Sequence, residues 1–163
     1  MKAQTSGNWH SYYFSKSSDG RLYFEVDNWS VGRYGVWRTD FAPSVGTWYH
    51  VAVTWQNVYG DVRDAKLYIN GVEQPVQLAF DQGYDSSFTL YYTSLPLYIG
   101  RDANGSSYFN GLIDEAEVFD RVLAPEEIAA IYNAGSAGKC RECVTPPSDL
   151  ASWWSGDNHT IYL

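Results

Sequence analysis

Gly46-Thr47-Trp48-Tyr49-His50-Val51-Ala52-Val53-Thr54-Trp55 is the stretch on which the fold turns. Val51, Val53 and Trp55 alternate with Ala52 and Thr54, the period of two that puts one set of side chains on one face of a strand. The same alternation follows in Lys66-Leu67-Tyr68-Ile69-Asn70, where Leu67 and Ile69 point one way and Tyr68 the other. Asn70-Gly71 then predicts a type I′ hairpin, because both residues tolerate positive φ.

Working outward, Arg21 to Val26, Leu97 to Gly100 and Gly111 to Phe119 read as further strands. Turn signals at Asp19-Gly20, Gly46-Thr47 and Asn104-Gly105 separate them. Short strands at this spacing argue for an all-β sandwich or barrel. One helix is expected: Pro125 suits a first helical position, Glu126 and Glu127 sit at the positive dipole end, and Gly135 suits the C′ position. Ile128, Ile131 and Tyr132 give it a narrow apolar stripe, and Ala124 is a poor N-cap that predicts a frayed start. So short a helix must pack on the sandwich.

The 163 residues suffice for one domain with a core. The net charge of −8, without any cluster of Lys or Arg, excludes a phosphate-backbone partner, so no nucleic acid is expected. No stretch approaches the roughly 20 apolar residues of a membrane span. No apolar signal segment follows Met1. Cys140 and Cys143 form a lone C-x-x-C, read as a local disulfide or two free thiols, since zinc needs two more ligands and His159 is the only one nearby. Aromatic residues make up 17% of the chain, which suits both sheet packing and a recognition surface.

Several segments together resemble the laminin-G-like, concanavalin-A-like superfamily. Gly46 to Thr54 is similar to its G-x-W-x-H-V-A strand, Leu67-Tyr68-Ile69-Asn70-Gly71 to its L-Y-[IV]-[DN]-G hairpin, and Leu97-Tyr98-Ile99-Gly100 to its L-x-I-G strand. Phe109 to Glu115 resembles F-x-G-x-I-D-E, and Arg121-Val122-Leu123 with Glu126-Glu127-Ile128 resembles the R-x-L ending with its helix. The resemblance covers roughly residues 19–135 and implies a jelly-roll, two-sheet sandwich with one short C-terminal helix. It implies that the first strands of the domain are missing from residues 1–135. Residues 136–149, rich in Gly, Ser, Pro and Cys, read as a linker. Leu150 to Asp157 resembles the W-W-x-G-D opening of a further repeat, so residues 150–163 either begin a second domain or supply a strand that completes the first.

The function the resemblance implies is recognition, not catalysis: a module of an extracellular multidomain protein. A carbohydrate ligand is the leading expectation, with Trp29, Trp37, Tyr91, Tyr92 and Tyr108 as ligand-binding aromatics. A protein surface or a scaffolding role, with homo-oligomers, is the alternative. A glycoside hydrolase comes third. Glu115 and Glu117, two apart on the expected strand, would share a face at about 6.5 Å between Cα atoms, near the spacing of a retaining pair. They do not match the superfamily's Glu-x-Asp-x-Glu pattern. The alternation also places Asp114 with Leu112, Ala116 and Val118 on an apolar face, where a carboxylate needs hydrogen bonds or a cation. Some relatives carry a structural calcium there, so the resemblance implies Ca2+ held by Asp114, with Asp157 as a second ligand.

Overall fold

The computed structural model describes residues 2–4, 9–94, 96–102, 105, 107–135 and 150–153. Two antiparallel sheets face each other. The larger has the order β1-β2-β3-β4-β8, from β1 (Lys2–Gln4), β2 (Trp9–Lys16), β3 (Leu22–Asn28), β4 (Arg33–Thr39) and β8 (Val76–Gln82). The smaller is β5 (Val51–Trp55), β6 (Ala65–Ile69) and β7 (Val72–Gln74). The helix α1 (Pro125–Ala134) packs outside the smaller sheet. A short ribbon pairs β9 (Glu117–Phe119) with β10 (Leu150–Trp153). The fold is the expected all-β sandwich with one C-terminal helix. Strand pairing extends upstream of Asp19, since β2 pairs with β3 from Tyr12↔Val26 to Lys16↔Leu22.

The decisive stretch behaves as its pattern dictates. Val51 to Trp55 pairs with Ala65 to Ile69 in register, and Asn70 and Gly71 turn the chain at φ 51° and 76°. The turn is tightened by Asn70, whose Oδ1 accepts from the backbone N–H of His50 at 3.0 Å while its own N–H donates to the carbonyl of His50 at 2.9 Å. Leu67 and Ile69 enter the core between the sheets with Leu22, Phe24, Val26, Trp37, Tyr84 and Phe88. Tyr68 points the other way and is buried with Leu123 and Ile128 beneath α1. A strand covered on both faces explains why β6 is the most buried element of the smaller sheet.

The start of α1 is not frayed. Arg121 makes two 2.7 Å bonds to the carboxylate of Glu127, whose Oε2 also accepts from the backbone N–H of Ala124 at 2.8 Å. The third residue of the helix thus satisfies the N–H of Ala124 with its side chain, while its own N–H donates to the Ala124 carbonyl at 3.0 Å, so the first turn is held without a capping side chain at Ala124. These bonds hold the Glu127 carboxyl at about 2, well below its ordinary value, through Arg121 first and the Ala124 N–H second.

Two expected strands are largely absent among the described residues. In 97–100 only Leu97 makes a bridge; Gly100 takes φ 77° and opens a narrow turn closed by Phe109 N–H to Gly100 O at 2.8 Å and by the Arg101↔Tyr108 bridge. In 111–119 only the last three residues form a strand, because Glu115 sits at φ 49° and breaks the extended path. Alternation was present in both segments, but a strand needs a neighbour to receive its hydrogen bonds.

Leu67 is fully buried, so Leu67→Ala should lower unfolding free energy by about 2–5 kcal/mol. Val45 is 100% exposed, and Val45→Ala should stay within about 0.5 kcal/mol of the parent. Urea titration of both variants checks the pair.

Candidate functional site

The loops at one end of the sandwich are fixed by a buried carboxylate. Asp64 closes a short 3-10 turn, Val62–Asp64, that leads into β6. Its Oδ1 accepts from the N–H groups of Val58 and Tyr59, both at 2.9 Å, and its Oδ2 from those of Gly60 at 2.6 Å and Asp61 at 3.1 Å. The Tyr84 hydroxyl donates to Oδ2 at 3.0 Å and accepts from Trp55 Nε1 at 2.9 Å. The loop 56–64 is therefore wrapped around one side chain. Burial pushes the Asp64 carboxyl up, but the N–H groups of Tyr59 and Val58, the Tyr84 hydroxyl and the Asp61 N–H outweigh it, so the net shift is downward. Burial, together with the adjacent Asp64 charge, drives the Tyr84 hydroxyl strongly upward, even though the Trp55 bond opposes it.

Neighbouring loops lock onto this one. Gly60, at φ 68°, lies so close to Asp85 that a Cβ would fall 2.3 Å from its backbone. Asn57 Nδ2 donates to the Phe88 carbonyl at 2.8 Å. Arg33 Nε donates to the Gly83 carbonyl, and its Nη2 pairs with Asp85 at 2.7 Å. Asn28 Nδ2 donates to the Thr89 carbonyl at 2.8 Å, and Tyr91 N–H donates to the Asp27 carbonyl at 3.0 Å. What this scaffold presents outward is apolar and cationic: Val31, Val58, Tyr59 and Arg63 are exposed, and the Arg63 guanidinium lies 3.9 Å from the Tyr59 ring centre. An Asp61–Arg63 ion pair of 2.5 Å orients the arginine.

The five aromatics expected to bind ligand are not gathered into one site. Trp37 is fully buried in the core, with its ring 5.0 Å from Tyr84 and 6.0 Å from Phe24, so it cannot touch a ligand; the alternation of β4 turns it inward. Trp29 is half-buried and stacks on Tyr34 at 6.1 Å, beside the locked loops. Tyr91 is half-buried, its carbonyl taken by the Ser11 hydroxyl. Tyr92 and Tyr108 are 89% and 71% exposed. Asp114, expected on an apolar face, is exposed instead, because the strand is not formed there and its Oδ1 accepts from the Glu115 N–H at 2.8 Å. Among the described residues no three of His, Cys, Asp and Glu are grouped as a metal site. Asp157, Cys140 and Cys143 lie outside the described residues. Glu115 precedes β9 at positive φ and Glu117 begins it, so the two do not share a strand face as a glycosidase pair was expected to do.

Two facing antiparallel sheets, the Asn70-Gly71 hairpin and the outer helix agree with one family match. Residues 1–129 match Laminin_G_3, of the concanavalin A-like lectin/glucanases superfamily. The chain belongs to this family. Among relatives of this Laminin_G_3 chain is adhesion G-protein coupled receptor D1. The Homo sapiens protein is 30% identical over 103 residues, 60% of this chain and 10% of that protein. The Bos taurus protein is 28% identical over 139 residues, 82% of this chain and 13% of that protein. The chain thus spans about a tenth of the length of these relatives. A crystal structure of an S-layer domain-containing protein (residues 221–444) from Clostridium thermocellum is 27% identical, with 73% of this chain and 54% of that chain covered at a TM-score of 0.34.

Sequence reasoning counts Tyr84 among the loop aromatics but misses Asp64 and the loop that the two fix together. The signal was present: Gly60 follows Tyr59 as a turn former, and Asp61 and Asp64 have the spacing of a capping box. Asp64→Ala would leave four part-buried N–H groups without their acceptor and should destabilise the domain by about 2–3 kcal/mol. Because the native Asp64 carboxyl lies below its unfolded value near 3.9, its contribution is fully present above about pH 4. It is lost as pH falls through the native value. Thermal melts between acid and neutral pH should show a steeper acid loss in the parent than in Asp64→Asn.

Proposed function

We propose that the chain is a non-catalytic recognition module of a cell-surface protein, and that it engages a protein partner through the end of the sandwich built on Asp64. The carrying observation is the set of four backbone N–H groups held by one buried carboxylate, which fixes the loop bearing Val58, Tyr59 and Arg63. A loop ordered before binding loses little conformational entropy on binding. Tyr and Arg are the side chains that dominate protein interfaces, and valines beside them supply apolar area around such anchors. Relatives named as adhesion receptors support a place at the cell surface.

A carbohydrate ligand is the second reading, favoured by a different surface. Tyr92 and Tyr108 stand open to solvent, and Arg101 lies 4.3 Å from the Tyr98 ring centre while bridging Tyr108. Open rings next to a cation can stack on a sugar and hydrogen-bond its hydroxyls. A structural calcium shared by Asp114 and Asp157 stands as a further proposal, supported by the resemblance alone.

The test is a screen of immobilised extracellular proteins and glycans with the parent chain, Tyr59→Ala, Arg63→Ala and Tyr108→Ala. The protein reading expects a protein ligand whose affinity falls at least tenfold, about 1.4 kcal/mol, in Tyr59→Ala and Arg63→Ala and holds in Tyr108→Ala. A glycan ligand lost in Tyr108→Ala alone would overturn it in favour of the second reading. Added calcium should raise the melting temperature if the metal proposal holds, and leave it unchanged otherwise.

A further inference from the structure

The ribbon of β9 and β10 lies outside both sheets and far along the chain from its partner. β10 runs antiparallel to β9 with Leu150↔Phe119, Ser152↔Val118 and Trp153↔Glu117 in register. β9 has a hold on the domain besides β10. Phe119 packs against the cluster of Tyr68, Leu123 and Ile128, so the body of the domain anchors the strand from within. The edge of β9 is thus a held ladder of N–H and C=O groups, the feature to which extended segments add.

We propose that the β9 edge is a strand-acceptor site, that its ligand class is an extended peptide segment, and that Leu150–Trp153 of the same chain is its resident, displaceable occupant. The connection decides between the chain's own strand and one from a second copy. Fifteen residues, 135–149, lie between α1 and β10 in the sequence, and tethering within one chain replaces a bimolecular encounter by an intramolecular one, for which effective concentrations on the order of millimolar are ordinary. At ordinary protein concentrations the tethered strand outcompetes a free one. Three paired positions, with a register shift between Leu150 and Ser152, make a short ladder that a competing strand can replace.

The test uses the full chain. Ser152→Pro removes the N–H at the centre of β10, and proline does not sit in a paired strand. A fluorescent peptide with the sequence of residues 148–156 serves as the probe. The expected result is binding to Ser152→Pro at least tenfold tighter than to the parent, whose site is filled. Amide hydrogen exchange at Glu117 and Phe119 should accelerate in the variant and slow again when the peptide is added. Equal affinity for parent and variant, or no binding to the variant, overturns the proposal. So does a parent chain that doubles in mass with concentration while keeping those amides protected, because the occupant would then come from a second copy. If Ser152→Pro fails to fold, Ser152→Gly, which weakens the strand without removing its donor, provides the same comparison.

Discussion

The loop end of this domain depends on one carboxylate being taken out of water and then answered in full. Burying a charged group is expensive unless hydrogen bonds replace the lost solvent. Asp64 receives them from four successive backbone N–H groups and a tyrosine hydroxyl. The bonds are charge-assisted, and together they dictate the path of residues 58–61. The same carboxylate ties the loop to the core, because Tyr84 sits edge-on to Trp37 and its hydroxyl takes the indole N–H of Trp55. Loop geometry and core packing are therefore one network, and the position of Tyr59 and Arg63 follows from where Trp37 and Trp55 pack.

That coupling explains why the locked loops can be apolar on the outside. A mobile loop bearing Val31, Val58 and Tyr59 would collapse onto itself or onto other chains. Here the backbone donors are consumed beneath the surface, Gly60 lies against the Asp85 backbone, and Arg33 spans to Asp85. The exposed side chains are what is left after the polar groups of the loop have been satisfied.

Legibility in the sequence followed the range of the interactions involved. The strand 51–55, the hairpin at Asn70-Gly71 and the helix from Pro125 were readable because each is specified by neighbours in the chain: alternation, positive-φ residues, a proline and a carboxylate at the right offsets. Trp37 was taken for a surface aromatic because nothing local distinguishes an inward from an outward tryptophan on an alternating strand; only the facing Tyr84 and Phe24 decide it. The segments 97–100 and 111–116 failed for the same reason in reverse. Their alternation is real, but pairing is a property of two strands, and the positive φ of Gly100 and Glu115 turns the chain away from an extended ladder. Asp64 was overlooked because its role needs four N–H groups to converge, and that convergence exists only after the loop has folded around it.

The two apolar surfaces of the molecule differ in what stands beneath them, and the difference separates their uses. At the Asp64 end the exposed side chains rest on a closed hydrogen-bond network, so a partner there meets a finished surface and needs only complementary shape. Around β9 the backbone itself is the feature on offer: Phe119 packs into the body of the domain, and the edge pairs with three residues of β10. A partner there must bring a strand, because the polar groups of an edge are answered by main chain and not by side-chain contact. On the two proposals, the first surface would select by side chains and the second by extended conformation, so that two partners would not compete for the same determinants.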